Sequence, residues 1–230
     1  MSLSSKLKYE IVAINNVQVT VDVSLLVKSD ELYFNATEMA RRYGKKPIEW
    51  TDSKQANEYI DVIVKVEKLH LEDLIRTVHG GRYKGTWLHK KLALPFARWC
   101  SVEFEYHLDK WIASRINEEQ QRKLSRKEAK TGFRPLTDAI QSAHKDPKHH
   151  HFSTECNLVN RLVTGMDAKQ FKEVHRVESV RDALDAADLR KMGVLQRQNT
   201  SLIELGFSYE ERKDLLQRQA DKFFAIEVVA

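Results

Sequence analysis

The chain has 230 residues, of which 42% are hydrophobic and 31% are charged, and its formal net charge is +5. This composition supports a real core in one large domain or two small ones and excludes disorder along the full length. Cys100 and Cys156 predict free thiols in a reducing compartment. No apolar run reaches the about 20 residues that span a bilayer. Because the N terminus lacks the apolar segment of a signal peptide, the sequence predicts a soluble cytoplasmic protein.

The first part of the chain predicts strands followed by helices. Residues 8–34 are rich in β-branched side chains with partial period-two alternation, and Asn15-Asn16 predicts a turn between two strands. Residues 35–44 begin with capping residues and end on a glycine, which predicts a helix of about two turns. Pro47 predicts the start of a further helical segment. The two helices and the tight turn between them form a candidate helix-turn-helix.

A glycine-rich segment from Val78 to His89 carries the strongest functional signal. Its glycines predict a tight hairpin tip between two strands, because glycine adopts positive φ without strain. Between Leu74 and Val102 the sequence has no acidic residue but six basic ones, namely Arg76, Arg82, Lys84, Lys90, Lys91 and Arg98. This local excess of positive charge predicts a surface that meets polyanions, with nucleic acid as the first candidate.

After the hairpin the sequence predicts helices only. Residues 92–116 are strongly helical, with Pro95 tolerated only in the first turn of its helix and Ser101 capping a second helix. The very polar segment 117–135 predicts a charged linker or helix and marks a domain boundary. The predicted domains are residues 1–116 and residues 136–230.

The C-terminal domain is predicted to be all-α and to serve assembly. Its apolar stripes bury against one another or against a partner, which predicts a homodimer or the binding of a repressor or host protein. Ser208 with Glu211 predicts a capping box, and Ser153 is a second predicted N-cap. The adjacent histidines 149–151 predict a surface loop and no metal site, because neighbouring histidines chelate poorly. The predicted helices span residues 136–145, 154–164, 167–175, 180–205 and 209–224.

The order and spacing of several motifs resemble the KilA-N domain. The matching residues are Phe-Asn-Ala-Thr at 34–37, Trp50, Gly-Gly-Arg-Tyr-Lys-Gly-Thr-Trp-Leu-His at 80–89, and helical residues as far as Trp111 and Ile112. Proteins of this family occur in bacteriophages, prophages and large DNA viruses, and the domain is related to the fungal APSES DNA-binding domain. The resemblance implies an α+β domain with a helix-turn-helix and a β-hairpin wing. It also implies a DNA-binding regulatory protein of phage or prophage origin in the cytoplasm of a bacterial host.

The candidate DNA contacts divide between the hairpin and the helix-turn-helix. Arg82 and Lys84 are predicted to meet the sugar–phosphate backbone, Gly81 to shape the tip, and Tyr83 either to pack against a sugar or to support the loop. Base reading falls to the helix after the turn, whose N-terminal end enters the major groove. The other candidate contacts are Arg41, Arg42, Lys45, Lys46, Lys54 and Lys90. The alternative for all of these charges is a solvated surface.

Catalytic patterns are missing from the sequence, and the aromatic residues predict core packing. We find no Ser/His/Asp set, no phosphate-binding glycine loop and no nuclease-like carboxylate cluster, which predicts a chain that is not an enzyme and uses no cofactor or metal. Six aromatic residues fall at spacings typical of a buried face, namely Trp50, Trp87, Phe96, Trp99, Phe104 and Trp111. Two functions therefore stay open: a regulator that binds double-stranded DNA, and an antirepressor-type module that acts by binding a repressor or host factor.

Overall fold

The computed structural model describes residues 8–227 of the chain. The chain divides into two compact units, residues 1–117 and residues 118–230. The first unit combines an antiparallel sheet with helices and the second is helical, so the predicted α+β and all-α classes are confirmed. The predicted absence of a signal peptide falls partly on residues 1–7, outside the described residues. No helix within residues 8–227 is long and apolar enough to cross a membrane.

One five-stranded antiparallel sheet organises the first unit. Its spatial order is β1-β2-β3-β5-β4. The strands are β1 (Tyr9–Ile14), β2 (Val17–Asp22), β3 (Tyr33–Asn35), β4 (Ile75–Val78) and β5 (Gly85–His89). Asn15 and Asn16 connect β1 to β2 with φ of 46° and 62°, as expected for a tight hairpin with a type I′ turn. The turn predicted at these two residues is confirmed.

Helices accompany this sheet, and the side chains of Asn35, Ser53, His89 and Ser101 cap four of them. Their bounds are α1 (Leu26–Ser29), α2 (Ala36–Arg41), α3 (Pro47–Thr51), α4 (Lys54–Glu67), α5 (Leu71–Leu74), α6 (Lys90–Cys100) and α7 (Val102–Thr131). Asn35 caps α2 by accepting a hydrogen bond from the Glu38 N–H at 3.2 Å. Pro47 is the first residue of α3, as predicted. The helical segment expected after Pro47 is interrupted because Ser53 caps a new helix, accepting from the Ala56 N–H at 3.2 Å.

The core of the first unit lies between the sheet and helices α2, α6 and α7. Val19, Val21, Phe34 and Leu88 from the strands are fully buried. The predicted core aromatics are confirmed, because Trp50, Trp87, Phe96 and Phe104 are buried and Trp99 and Trp111 pack partly buried against them. These rings anchor the hairpin and the helices to one another.

The position predicted for Pro95 is wrong. Helix α6 begins at Lys90, so Pro95 is its sixth residue and lies in the interior. The helix starts early because the His89 side chain accepts from the Lys91 N–H at 3.4 Å. Proline removes one intrahelical hydrogen bond, but the buried face around Phe96 outweighs this loss. Ser101 caps α7 as predicted, accepting from the Phe104 N–H at 3.4 Å.

The second unit is built from helices around a small apolar core. It contains the end of α7, then α8 (Phe133–Ala143), α9 (His149–Thr164), α10 (Ala168–His175), a 3₁₀ turn (Val180–Asp182), α11 (Ala186–Glu204) and α12 (Tyr209–Glu227). Leu158, Leu189 and Leu216 are among its buried residues. The predicted capping box before α12 is confirmed, because the Ser208 N–H donates to the Glu211 carboxylate at 2.9 Å.

Three expectations for the second unit are wrong. Residues 180–205 are not one helix, because Asp185 caps α11 by accepting from the Asp188 N–H at 2.8 Å. Residues 149–151 are not a loop but the first turn of α9. Ser153 therefore lies inside that helix, where its hydroxyl donates to the His150 carbonyl oxygen at 3.1 Å. Local side-chain hydrogen bonds, which hydropathy does not register, decide these boundaries.

Candidate nucleic-acid interface

The cationic segment forms a β-hairpin with a longer connection than predicted. Strands β4 and β5 pair from Ile75 opposite Leu88 to Val78 opposite Gly85, and the six residues 79–84 join them. Gly81 has a φ of 81°, which fits its predicted role in shaping the tip. Gly81, Arg82 and Lys84 are exposed. The hairpin therefore carries two cations on a surface loop.

The base of the hairpin is fixed to the N terminus of α2. The Asn35 amide nitrogen donates to the Lys84 carbonyl oxygen at 3.4 Å, and the Thr86 N–H donates to Thr37 Oγ1 at 3.0 Å. Gly85, with a φ of 141°, lies so close that a Cβ there would be 2.8 Å from Asn35 Oδ1 and 2.9 Å from Thr37 Oγ1. The Asn-Ala-Thr motif at 35–37 and the Gly-Thr-Trp motif at 85–87 therefore contact each other directly, which the sequence alone did not predict.

Tyr83 supports the loop from within. Its ring centroid is 4.0 Å from that of Tyr9 on β1, and its carbonyl oxygen accepts from Trp87 Nε1 at 3.1 Å. The Arg82 guanidinium lies 5.5 Å from the Tyr83 ring centroid. Of the two roles considered for Tyr83, these contacts give it the supporting one, and contact with a sugar stays a prediction.

Four of the six cations between Leu74 and Val102 have partners within the chain. Arg76 stacks 3.6 Å from the Tyr33 ring centroid, Lys90 donates to the Asp30 carbonyl oxygen at 2.5 Å, Lys91 pairs with Glu67, and Arg98 pairs with Glu105 at 2.7 Å. Arg82 and Lys84 are different. Within residues 8–227, no carboxylate lies within 4 Å of either side chain. The unneutralised charge of the segment is thus concentrated at the loop.

The cations predicted around the turn after α2 fall into two groups. Lys45 Nζ donates to the carbonyl oxygens of Trp99 and Cys100, the latter at 3.3 Å, and therefore caps the C terminus of α6. Lys54 forms an exposed pair with Glu58 at 3.7 Å, a geometry that contributes little stability. The remaining three cations are exposed and form no ion pair in the described part of the chain; they are Arg41, Arg42 and Lys46. DNA contact by all five stays a prediction.

A buried histidine ends the hairpin and begins α6. His89 Nε2 contacts the Glu31 carboxylate, and burial lowers the pKa of the imidazole despite the opposing effect of this carboxylate. The neutral ring thus supports the helix start and is not a surface cation. At the other end of α6, burial raises the pKa of the Cys100 thiol to about 12, which leaves it protonated and poorly nucleophilic at neutral pH.

Potential metal ligands do not cluster in the part of the chain that the structure describes. No group of three or more histidine, cysteine, aspartate or glutamate side chains is placed to hold a metal ion there. His144 and His151 stack with ring centroids 3.8 Å apart. A parallel stack does not aim two imidazole nitrogens at one ion.

Comparison with known proteins identifies the segment that contains this surface. The KilA-N domain model matches residues 18–118. A KilA-N domain-containing protein of Acanthamoeba polyphaga mimivirus is 29% identical over 118 residues, which covers 46% of this chain and 25% of the relative. The chain thus matches a quarter of that relative's length. The resemblance drawn from the sequence motifs is confirmed, and because a KilA-N domain is generally a DNA-binding domain, it supports a DNA-binding role.

Proposed function

We propose that the KilA-N domain at residues 18–118 binds double-stranded DNA through the β4–β5 hairpin and the turn after α2. In this proposal the hairpin is a wing on the sugar–phosphate backbone. Helices α2 and α3, with the turn between them, form a helix-turn-helix that reads the major groove. Three further parts of the proposal rest on the family resemblance alone. They are regulation of transcription, phage or prophage origin, and action in the bacterial cytoplasm. The proposal requires binding and no catalytic step.

The observation that carries this proposal is the distribution of paired and unpaired cations. Four basic residues of the hairpin region have a carboxylate, a carbonyl oxygen or a closely stacked ring as partner, whereas Arg82 and Lys84 on the loop have no ion pair within the described residues and Arg82 has only the Tyr83 ring at 5.5 Å. An unpaired cation on an ordered surface gains most from a phosphate, because no internal partner has to be displaced. Phosphate contacts of this kind position a protein without reading sequence.

The second half of the proposed interface is the turn from Tyr43 to Lys46. Gly44 has a φ of 65°, and the Lys45 N–H donates to the Ala40 carbonyl oxygen at 3.2 Å, which closes the end of α2. The side chain of Lys45 is tied to α6, which leaves Lys46 exposed at the N-cap of α3. Arg41, Arg42 and Lys46 therefore surround this turn with unpaired positive charge.

Binding of a fluorescently labelled duplex, followed by anisotropy over a range of salt concentrations, tests the proposal. We expect the wild-type chain to bind with an affinity that falls steeply with salt. Arg82→Ala/Lys84→Ala should bind more weakly and lower the slope of log affinity against log salt by about 2, one unit for each phosphate that is no longer neutralised. The matched control is Lys28→Ala/Lys65→Ala, which removes two exposed cations of the same unit outside the proposed interface.

Two results contradict the proposal. One is no binding by the wild-type chain at low salt. The other is an equal reduction of the slope in the hairpin and control variants, because that result assigns the effect to net charge and not to the hairpin. Circular dichroism of all variants excludes unfolding as the cause.

A second candidate function, an antirepressor-type module that binds a repressor or host factor, is supported by the surface of α4. Tyr59, Val62 and Val66 recur at helical spacing on one side of this helix and are 44%, 58% and 72% exposed. Exposed apolar stripes are typical of protein-binding sites. The DNA experiment separates the two candidates, since a protein-binding module requires no steep salt dependence of binding to DNA.

Self-association through the second unit is the last part of the proposal. Leu205, Phe207 and Leu215 in and between α11 and α12 are exposed, which supports a homodimer through the C-terminal helices. Sedimentation equilibrium of the full chain tests it, and a monomer at high micromolar concentration contradicts it.

A further inference from the structure

A small cavity in the second unit contains a desolvated arginine. The cavity has a volume of about 190 Å³ and lies among α9, α10, α11 and the 3₁₀ turn. Its lining includes Phe133, Cys156, Asn160, Lys172, Ser179 and Arg181. The volume is well below the roughly 300–1,000 Å³ of pockets for drug-sized ligands. Only an ion or a single small group fits.

Arg181 has few internal partners for a half-buried guanidinium. The Gln196 side-chain amide is oriented so that its nitrogen donates to the Ala129 carbonyl oxygen. The Gln196 side-chain oxygen then accepts a hydrogen bond from Arg181 Nη2 at 2.9 Å. The guanidinium carbon lies 5.1 Å from the Phe133 ring centroid, and Nε is buried without a hydrogen-bond partner. In the described residues no carboxylate lies within 4 Å of it. Partial desolvation of a charge without an ion pair is unfavourable, and a buried N–H donor without an acceptor adds to that cost.

No acidic group near the cavity forms an ion pair with Arg181 in the described residues, although Asp182 favours its charged form at longer range. Lys172 on α10 adds a second cation to the lining, and Glu178 is its one acidic member. Glu178 is exposed to solvent. Asp182, next to Arg181 in the chain, pairs with Arg126. Burial lowers the pKa of Arg181, yet an arginine stays protonated at neutral pH.

We propose that this cavity binds a small oxyanion of the phosphate class. Arg181 is the principal ligand, because a guanidinium donates from several N–H groups to a tetrahedral oxyanion. Lys172 supplies a second charge at the entrance, and the Asn160 amide and Ser179 hydroxyl supply neutral donors. The anion is inorganic phosphate or the phosphate group of a nucleotide. This binding is separate from the DNA interface assigned to residues 18–118.

Isothermal titration calorimetry of the full chain with inorganic phosphate, at ionic strength held constant with chloride, tests the proposal. We expect saturable binding with one site per chain. Arg181→Gln should weaken it at least tenfold and Lys172→Gln severalfold. Lys169→Gln, which removes an exposed cation from the same helix outside the cavity, should leave it unchanged. A parallel titration with adenosine 5′-monophosphate distinguishes the sources: tighter binding than phosphate identifies a nucleotide, and weaker binding identifies the free ion.

Alkylation of Cys156 provides a readout that needs no variant. This thiol lines the cavity, so bound phosphate should slow its reaction with iodoacetamide, measured by mass spectrometry, relative to chloride at the same ionic strength. This measurement keeps the proposal testable if Arg181→Gln does not fold. Two results overturn the proposal. One is the absence of saturable heat with 10 mM phosphate together with the absence of protection of Cys156. The other is equal binding of phosphate by the wild type and a folded Arg181→Gln variant.

Discussion

Replacing Gly85 by alanine should destabilise the first unit strongly. At a φ of 141° an alanine is strained by about 1–3 kcal/mol. Its Cβ would also lie 2.8 Å from Asn35 Oδ1 and displace the cap of α2, which is worth about 0.5–2 kcal/mol. We therefore expect the free energy of unfolding to fall by about 1.5–5 kcal/mol. Gly80→Ala is the matched control, because a Cβ there meets nothing within 4 Å.

Urea unfolding monitored by tryptophan fluorescence measures this difference in the full chain. All four tryptophans, Trp50, Trp87, Trp99 and Trp111, lie in the first unit, so their emission reports on that unit. With a urea dependence of about 2 kcal/mol/M, the midpoint of Gly85→Ala should fall by about 0.8–2.5 M. Gly80→Ala should change stability by less than about 0.5 kcal/mol. Equal midpoints for the two variants would refute the close approach between the hairpin base and α2.

The remaining predictions concern the loop and the buried thiol. Trp87→Ala should lower the free energy of unfolding by about 3–5 kcal/mol, because the ring is 3% exposed. Arg82→Ala should leave the free energy of unfolding unchanged. Thermal melts that show comparable losses of stability in the two variants would contradict this contrast. The pKa of Cys100 is raised in the folded state to about 12, so the stabilisation from its protonated form is complete below about pH 8.5 and is lost as pH rises toward 12. Urea unfolding at pH 8 and pH 10 should show that stability falls less with pH in Cys100→Ala than in the wild type. Equal losses of stability in the two proteins would contradict this contribution of the thiol.

Residues with local signals were predictable from the sequence. Asn15-Asn16, Pro47 and Ser208 determine turns or helix starts through their own backbone or side-chain preferences, and the structure places them as expected. Pro95 and Ser153 were predicted wrongly because side chains of neighbouring residues set the helix starts. A propensity averaged over a window does not resolve one hydrogen bond at a helix end.

The candidate interface was predictable in location but not in detail. The charge excess identified the hairpin, yet sequence alone did not separate Lys90 and Lys91, which pair with carboxylates, from Arg82 and Lys84, which form no ion pair within residues 8–227. The partners Glu31 and Glu67 are distant in sequence, so only the fold brings them close. The same limit applies to Lys45, which matches the pattern of a DNA contact but caps α6.

The support that Tyr83 gives the loop has a consequence for the entropy of binding. An unsupported loop must be ordered when it docks, at a cost of about 1–2 kcal/mol for each backbone residue fixed. Here the stack on Tyr9 and the bond from the Trp87 indole fix the centre of the loop during folding. Arg82 and Lys84 flank that fixed point. A partner that binds these two residues therefore restricts mainly the conformations of their side chains, because the backbone is already ordered. In the proposed interface, the affinity of the loop for an anion would thus depend on a tyrosine that faces the protein.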